Sequence, residues 1–334
     1  MAVRAPRTPR RVVRVPAVPA LQTVLGKGIT MWGATATGKT TFLAALYTAL
    51  LDQNIGWRLR GADQPSTEAL VTLTNKLADE GTFPGQTAGI RNYRWSLVGT
   101  VPRAIKEWHW NGLHRRDLEV EIPLELVDAA GEVADGSKAY GREVTQRFVD
   151  NLANSTGIVF FYDPIREFEQ GDAFRHTFGV LTQLDSKMGG SGKLPHYVAV
   201  CVTKFDEQRV FDAATGMRLV DYDDAPPCFP RVPEVDAREF FSRLCAVSRT
   251  NTARRVLPLL EQTFDRRQIR FFVTSAIGFY VNPHIGVFDP RDCQQHIPPA
   301  VPDEEPRVRG DVRPINVVEP IVWLGKQIAM TAGQ

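Results

Sequence analysis

Nine residues, GATATGKTT from Gly33 to Thr41, have the types and spacing to hold a phosphate chain. Gly33, Gly38, Lys39 and Thr40 fit the pattern GxxxxGK[ST], in which glycines let successive backbone N–H groups curl around phosphate oxygens. Here those groups belong to Ala34, Thr35, Ala36, Thr37 and Gly38, with Thr41 in the first turn of the helix that follows. The helix amino-terminus adds positive dipole, the Lys39 ammonium reaches the β- and γ-phosphates, and the Thr40 hydroxyl is a magnesium ligand. Such a loop must lie between a strand and a helix. The flanks agree: GITMWG at 28–33 is a short apolar run, and residues 40–53 have helical apolar spacing. The competing reading is a plain glycine turn.

A triphosphate with its metal needs a carboxylate at the end of a neighbouring strand, and two positions qualify. Asp128 opens DAAGE, so Asp128 and Gly131 fit DxxG, which sets a metal-facing carboxylate and a γ-phosphate-contacting N–H in one turn. Asp163, after GIVFFY, is the second. A metal carboxylate there implies an ATPase-type phosphotransferase, while a simple strand-to-turn junction is its plain reading; the DxxG spacing favours Asp128.

TKFD follows the apolar run YVAVCV and supplies Thr203, Lys204 and Asp206. A carboxylate against the base edge accepts from the N1–H and 2-amino group of guanine, a donor pair that adenine lacks, and the Lys204 stem can lie along the ring. Leaving such buried groups unpaired with the wrong base discriminates by about 10⁴ or more. In FFVTSA, after Thr274, the backbone N–H groups of Ser275 and Ala276 are candidates for the guanine O6. Thr87, in PGQTAG, is the candidate to close a hydroxyl over magnesium and γ-phosphate, with Thr82 as fallback.

To bring these motifs together the chain must alternate strand and helix. After helix 40–53 the pattern predicts a helix over 66–80 with Ser66 as N-cap. Alternating strands near 92–99 and 118–128 can pair as an antiparallel hairpin. Beyond them, helix 138–153, strand GIVFFYD, helix 168–185, strand YVAVCVTK, helix 236–266, strand IRFFVTS and a closing helix 316–330 complete the series. Continuous apolar strands separated by helices mean a mostly parallel sheet covered on both faces. The expected fold is an α/β three-layer sandwich: six strands, mostly parallel with one antiparallel, and helices on both faces. Residues 25–334 read as a single domain with insertions near 54–90, 207–235 and 282–313, all longer than the usual loop of about 4 to 6 residues.

The 334 residues, 43% hydrophobic and 23% charged, are ordinary globular composition. Residues 1–20 hold five Arg and no acid, and the rest of the chain has 35 basic against 38 acidic residues. Residues 1–24 therefore read as a disordered basic arm on a mildly acidic body, which argues against a general nucleic-acid binder. The arm could touch acidic lipid, at about 1 kcal/mol per cation, or nucleic acid, but with five charges and no lipidation motif simple solubility or partner binding is the favoured reading. The apolar runs fall far short of the roughly 20 residues that span a bilayer, so no transmembrane segment is expected. Four widely spaced Cys without CxxC support neither a disulfide framework nor a zinc site and point to a reducing, cytoplasmic setting. GGSGK at 189–193 lacks the phosphate-loop spacing and precedes a strand; RGD at 309–311 is a tripeptide in a Pro-rich stretch.

GATATGKT, a loop threonine, DAAGE, TKFD and TSA stand in the order of the five nucleotide-binding motifs of Ras-like GTPases, which the chain resembles over about residues 27–278. GKTTFLAAL, DAAGE before a long helix, FFYDP and EPIVWL look more narrowly like the bacterial double-GTPase family associated with multi-protein conflict systems. The resemblance implies a P-loop NTPase fold, guanine nucleotide (GTP and GDP) with Mg²⁺ as cofactors, and a molecular switch working with a protein effector or companion GTPase. It places Glu132 where many small GTPases have a water-orienting glutamine. A carboxylate facing the γ-phosphate makes hydrolysis slow or partner-dependent, or absent, which would leave a nucleotide-binding scaffold. Arg142, Arg91 and Arg115 are charge-compensating candidates that the sequence does not rank.

Overall fold

The computed structural model describes residues 22–23, 27–84, 91–105, 114–128, 139–190, 192–301 and 305–331. The strands are β1 (Gln22–Thr23), β2 (Ile29–Gly33), β3 (Trp57–Gly61), β4 (Arg91–Ile105), β5 (His114–Asp128), β6 (Gly157–Tyr162), β7 (Tyr197–Val202), β8 (Asp221–Tyr222), β9 (Pro230–Arg231), β10 (Ile269–Val273), β11 (His296–Ile297) and β12 (Arg307–Val308). The main sheet runs β10-β7-β6-β2-β5-β4-β3, with β1 added parallel to β5. Strands β10, β7, β6, β2 and β5 are parallel, and β4 is antiparallel to both β5 and β3, so β4 alone runs the other way. The expected mostly parallel sheet with one reversed strand is present, with seven strands along this order rather than six.

The extra strand is β3, inside the stretch read as an insertion. WRLRG alternates strictly, with Trp57 and Leu59 buried and Arg58 and Arg60 exposed, and it pairs with β4 from Trp57↔Gly99 to Gly61↔Trp95. The β4–β5 hairpin is longer than expected, in register from Arg91↔Asp128 to Ile105↔His114.

The helices are α1 (Lys39–Gln53), α2 (Gln64–Ala78), α3 (Ala139–Asn154), α4 (Pro164–Gln170), α5 (Ala173–Lys187), α6 (Gln208–Gly216), α7 (Glu234–Val247), α8 (Val256–Thr263) and α9 (Val318–Thr331). Period-2 alternation on the buried strands sends successive side chains to opposite faces. Ile158, Phe160 and Tyr162 of β6 join one core with α3, α5, α7 and α8, through Leu152, Leu184, Phe241 and Leu260. Val159 and Phe161 join the other, with α1, α2 and α9, through Phe42, Leu46, Leu70 and Ile321. Each such side chain taken from water contributes about 1.5–3 kcal/mol, so both faces must be covered. No helix among the described residues is long and apolar enough to cross a membrane.

Three local readings are corrected. Helix α2 is capped by Asp63, whose Oδ1 accepts from Ser66 N–H at 2.8 Å, and Ser66 is instead buried, its Oγ accepting from Arg94 N–H and its carbonyl from the Trp95 indole. The single helix expected over 168–185 is two, because Gly171 takes the left-handed conformation (φ 65°) and closes α4. The long helix expected over 236–266 breaks after Val247, resuming through a 3₁₀ turn at Ala253–Arg255 into α8. The stretches read as insertions also carry structure: 207–235 contains α6 and the β8–β9 pair, and 282–313 contains β11 and β12. Gln22 and Thr23, within the stretch read as an arm, form β1 against Val120 and Glu121.

Candidate functional site

The parallel register brings the carboxyl ends of five strands level. Gly33 lies opposite Phe161, Tyr162 opposite Val202, and Val202 opposite Val273. The turns at Ala34–Gly38, Asp163, Thr203–Asp206 and Thr274–Ser275 therefore emerge along one edge of the sheet. Strand β2 sits where the connections part, β5 on one side and β6 on the other, and open α/β sheets bind ligands at such a switch point.

The loop after β2 wraps around its own lysine. Lys39 is buried, and its ammonium donates to the carbonyls of Gly33 at 3.1 Å and Ala34 at 2.8 Å. Thr37 Oγ donates to the same Ala34 carbonyl at 2.8 Å. Gly38 has φ 87° and open space where a Cβ would be, and Ala36 has φ 62°. Gly33 is required by packing, since a Cβ would fall 2.8 Å from the Phe161 Cβ. Thr40 and Thr41 follow Lys39 in the first turn of α1. The donor set, loop N–H groups at a helix start beside a buried ammonium, suits a polyphosphate.

At the other end, Asp206 is buried and its Oδ1 accepts from Ser275 Oγ, which in turn accepts from Gly278 N–H at 2.8 Å. Burial pushes the Asp206 carboxyl up to about 7, further raised by Glu207 and opposed by the Ser275 hydrogen bond and Lys204. Thr203 is fixed from both ends of its residue, its N–H and Oγ donating to the Tyr162 carbonyl at 2.9 and 3.2 Å. Thr274 N–H donates to Val202 and Phe205 N–H to Thr274, so the two turns are stitched together. Ala276 follows Ser275 and packs beside Ile277 against α1. The acceptor set at Asp206 suits a base that offers two donors.

Asp163 is engaged elsewhere. Its Oδ1 caps α4, accepting from Ile165 N–H at 2.9 Å and Arg166 N–H at 3.1 Å, and its Oδ2 lies 2.7 Å from Lys204 Nζ. Thr82 pairs with Arg307 in an isolated antiparallel bridge, and its N–H donates to the Lys76 carbonyl near the end of α2. Thr87, Gly131 and Glu132 lie outside the described residues. Asp128 ends β5 opposite Arg91, and the side chains of Asp128, Arg91, Arg115 and Arg142 are likewise outside the described part.

Beside the loop after β2 lies a group that no sequence pattern marked. Arg166 pairs with Asp172 through two nitrogens, at 3.2 and 2.6 Å, and donates from a third to the Thr35 carbonyl at 3.2 Å. His176 of α5 joins them in a cleft that also includes Ala34 and Thr37. Burial, reinforced by the Lys39 charge, lowers His176 to about 4, so it is neutral near pH 7. Glu167, buried, accepts from Ser248, Thr250 and Ala173 and ties α4 to α5 and to the turn after α7. FYDP announced the cap at Asp163, but nothing local announced that Arg166 turns toward residue 35.

No family model and no curated protein matches the chain. Among solved structures it is similar to that of sup35 complexed with GDP, at 12% identity and a TM-score of 0.28. The match covers 80% of this chain and 40% of that one, so the chain spans less than half of that protein's length. A superposition this loose transfers no residue role.

Proposed function

We propose that the chain binds guanine nucleotide with Mg²⁺ and hydrolyses GTP to GDP, acting as a molecular switch. The observation that carries the reading is the common edge. A phosphate-type loop with a buried Lys39 after β2 and an Asp206–Ser275 pair after β7 and β10 open on the same side of the sheet. Lys39 and the loop N–H groups would offset charge on the transferring phosphoryl group during in-line attack by water. Thr40, Asp128 and Thr87 are the residues that would hold magnesium, which when bound neutralises charge on the β- and γ-oxygens. Ser275 Oγ donates to Asp206 Oδ1 and would hold that carboxylate toward the base. Glu132 in the water-facing place would make the turnover slow or partner-stimulated, and the likeness to the conflict-system double-GTPases makes an effector or companion GTPase the partner to seek.

The ATPase reading is weakened by the commitment of Asp163 to α4 and Lys204. Competition of fluorescent GTP in magnesium against GTP, ATP and xanthosine triphosphate tests the proposal, with Lys39→Ala as the control that abolishes binding. GTP outcompeting ATP by about a hundredfold or more supports it. Equal competition by ATP defeats the guanine assignment, and tight binding with no turnover leaves a scaffold.

A further inference from the structure

We infer that Arg166 is a positioning residue of the phosphate loop, holding the Thr35 carbonyl outward so that the N–H of Ala36 is turned into the phosphate site. The inference rests on the nucleotide reading above and deepens it.

The carbonyls of Gly33 and Ala34 are occupied from within the loop, by Lys39 and Thr37. The Thr35 carbonyl is held from 131 residues away, by Arg166 Nη1. In a planar trans peptide the C=O and the following N–H point in opposite directions. Fixing the Thr35 carbonyl toward α4 therefore fixes the Ala36 N–H toward the opposite, loop-interior side. That orientation goes against local preference, since Ala36 has φ 62°, a left-handed conformation that a residue with a Cβ rarely adopts. An outside contact is what such a strained peptide needs. Successive N–H groups in and around a left-handed residue form a concave anion site.

Arg166 is itself held rigidly. Asp172 grips Nε and Nη2 in a planar fork, leaving Nη1 aimed at residue 35. The Asp163 cap fixes the start of α4, Gly171 turns the chain so that Asp172 faces back, and Glu167 locks the corner. Lysine at this position could still reach one carbonyl but could not be gripped by both carboxylate oxygens.

The test uses the full chain and fluorescent GTP and GDP in magnesium. Arg166→Ala should weaken both nucleotides by about tenfold to a hundredfold, as expected for losing a charge-assisted hydrogen bond. Arg166→Lys should recover part of that affinity, and Asp172→Asn should fall between wild type and Arg166→Ala. The decisive variant is Ala36→Gly in the Arg166→Ala background. Glycine adopts positive φ freely, so the peptide no longer needs the arginine and affinity should return by about tenfold. A merely structural arginine would not be relieved by a glycine in the loop. Wild-type affinity in both Arg166→Ala and Arg166→Lys overturns the inference, as does a loss that Ala36→Gly leaves unrelieved. If Arg166→Ala does not fold, the Arg166→Lys and Arg166→Lys/Ala36→Gly pair gives the same comparison. Failure of the wild type to bind any nucleoside triphosphate is seen before any variant, and defeats the nucleotide reading and this inference with it.

Discussion

The ammonium of Lys204 lies 2.7 Å from Oδ2 of Asp163, tying the turn after β7 to the turn after β6 across the carboxyl edge. Asp163 is buried, while about a third of the Lys204 side chain remains exposed. The pair therefore fixes the direction of the lysine stem more than it stabilises the fold.

That pairing separates the two candidate metal carboxylates. Asp163→Asn keeps an oxygen to cap α4 and removes the charge facing Lys204. It should cost about 1 kcal/mol in a thermal or urea melt, a small figure because solvent screens the exposed lysine. GTP turnover should stay within about tenfold of wild type. A loss of about 10³ or more, the size expected when a preorganised charge-stabilising group is removed, would restore Asp163 as the metal carboxylate.

On the proposed guanine reading, Asp206→Asn should change which base fits. The carboxylate presents only acceptors, whereas the amide presents a donor suited to the 2-carbonyl of xanthine. GTP affinity should fall by about a hundredfold or more while xanthosine triphosphate gains, both read by competition titration. Unchanged GTP binding would mean that the Asp206–Ser275 pair is structural only.

Nucleotide affinity should depend on pH through the same carboxyl. Burial holds Asp206 near 7, and only the ionised form accepts both base donors, so binding below that pH requires proton release. Kd for GTP should weaken by up to about tenfold per pH unit below about 7 and be flat above it, with Asp206→Asn removing the slope. Stability of the free protein carries the opposite sign for this group. Asp206 holds its proton to about 7 in the fold against 3.8 for the unfolded reference, so stability from this residue falls as pH rises through that window. His176 and His196, both lowered from 6.5 to about 4, lose stability instead as pH falls through theirs. Melts of wild type and Asp206→Asn between pH 4 and 8 separate the two: the difference between them should shrink to its minimum at the acid end.

Gly278→Ala tests how tightly the base end is built. Gly278 has φ 72°, and a Cβ there would lie 2.0 Å from the Arg313 carbonyl oxygen. The strain and forced shift should cost about 1–3 kcal/mol, read in a urea melt. Because Gly278 N–H donates to the Ser275 Oγ that reaches Asp206, guanine affinity should drop as well. A destabilised variant with unaltered GTP binding would show that the Ser275 contact does not orient the carboxylate.

The sequence by itself determined the alternation of strands and helices, because an apolar run buried on both faces and a 3.6-residue stripe are local signals. The GxxxxGK[ST] spacing of the loop after β2 was legible too, since glycine, lysine and threonine are recognised there by type and order, although Phe161 and Arg166 fix its final shape. Strand β3 was not read from the sequence although WRLRG alternates, because five residues specify a strand only once β4 offers Trp95 to Gly99 for pairing. The α4–α5 break was set by Gly171, whose left-handed turn matters only because Glu167 and Asp172 must face inward. Tertiary structure alone decided the fate of the charged residues. Asp163 and Asp206 both follow apolar strands, but one meets Lys204 and a helix start while the other meets Ser275 in a buried corner. Arg166 became a partner of Thr35 for the same reason: hydrogen bonds between residues 131 apart depend on the parallel register of β2 and β6, which no local pattern encodes.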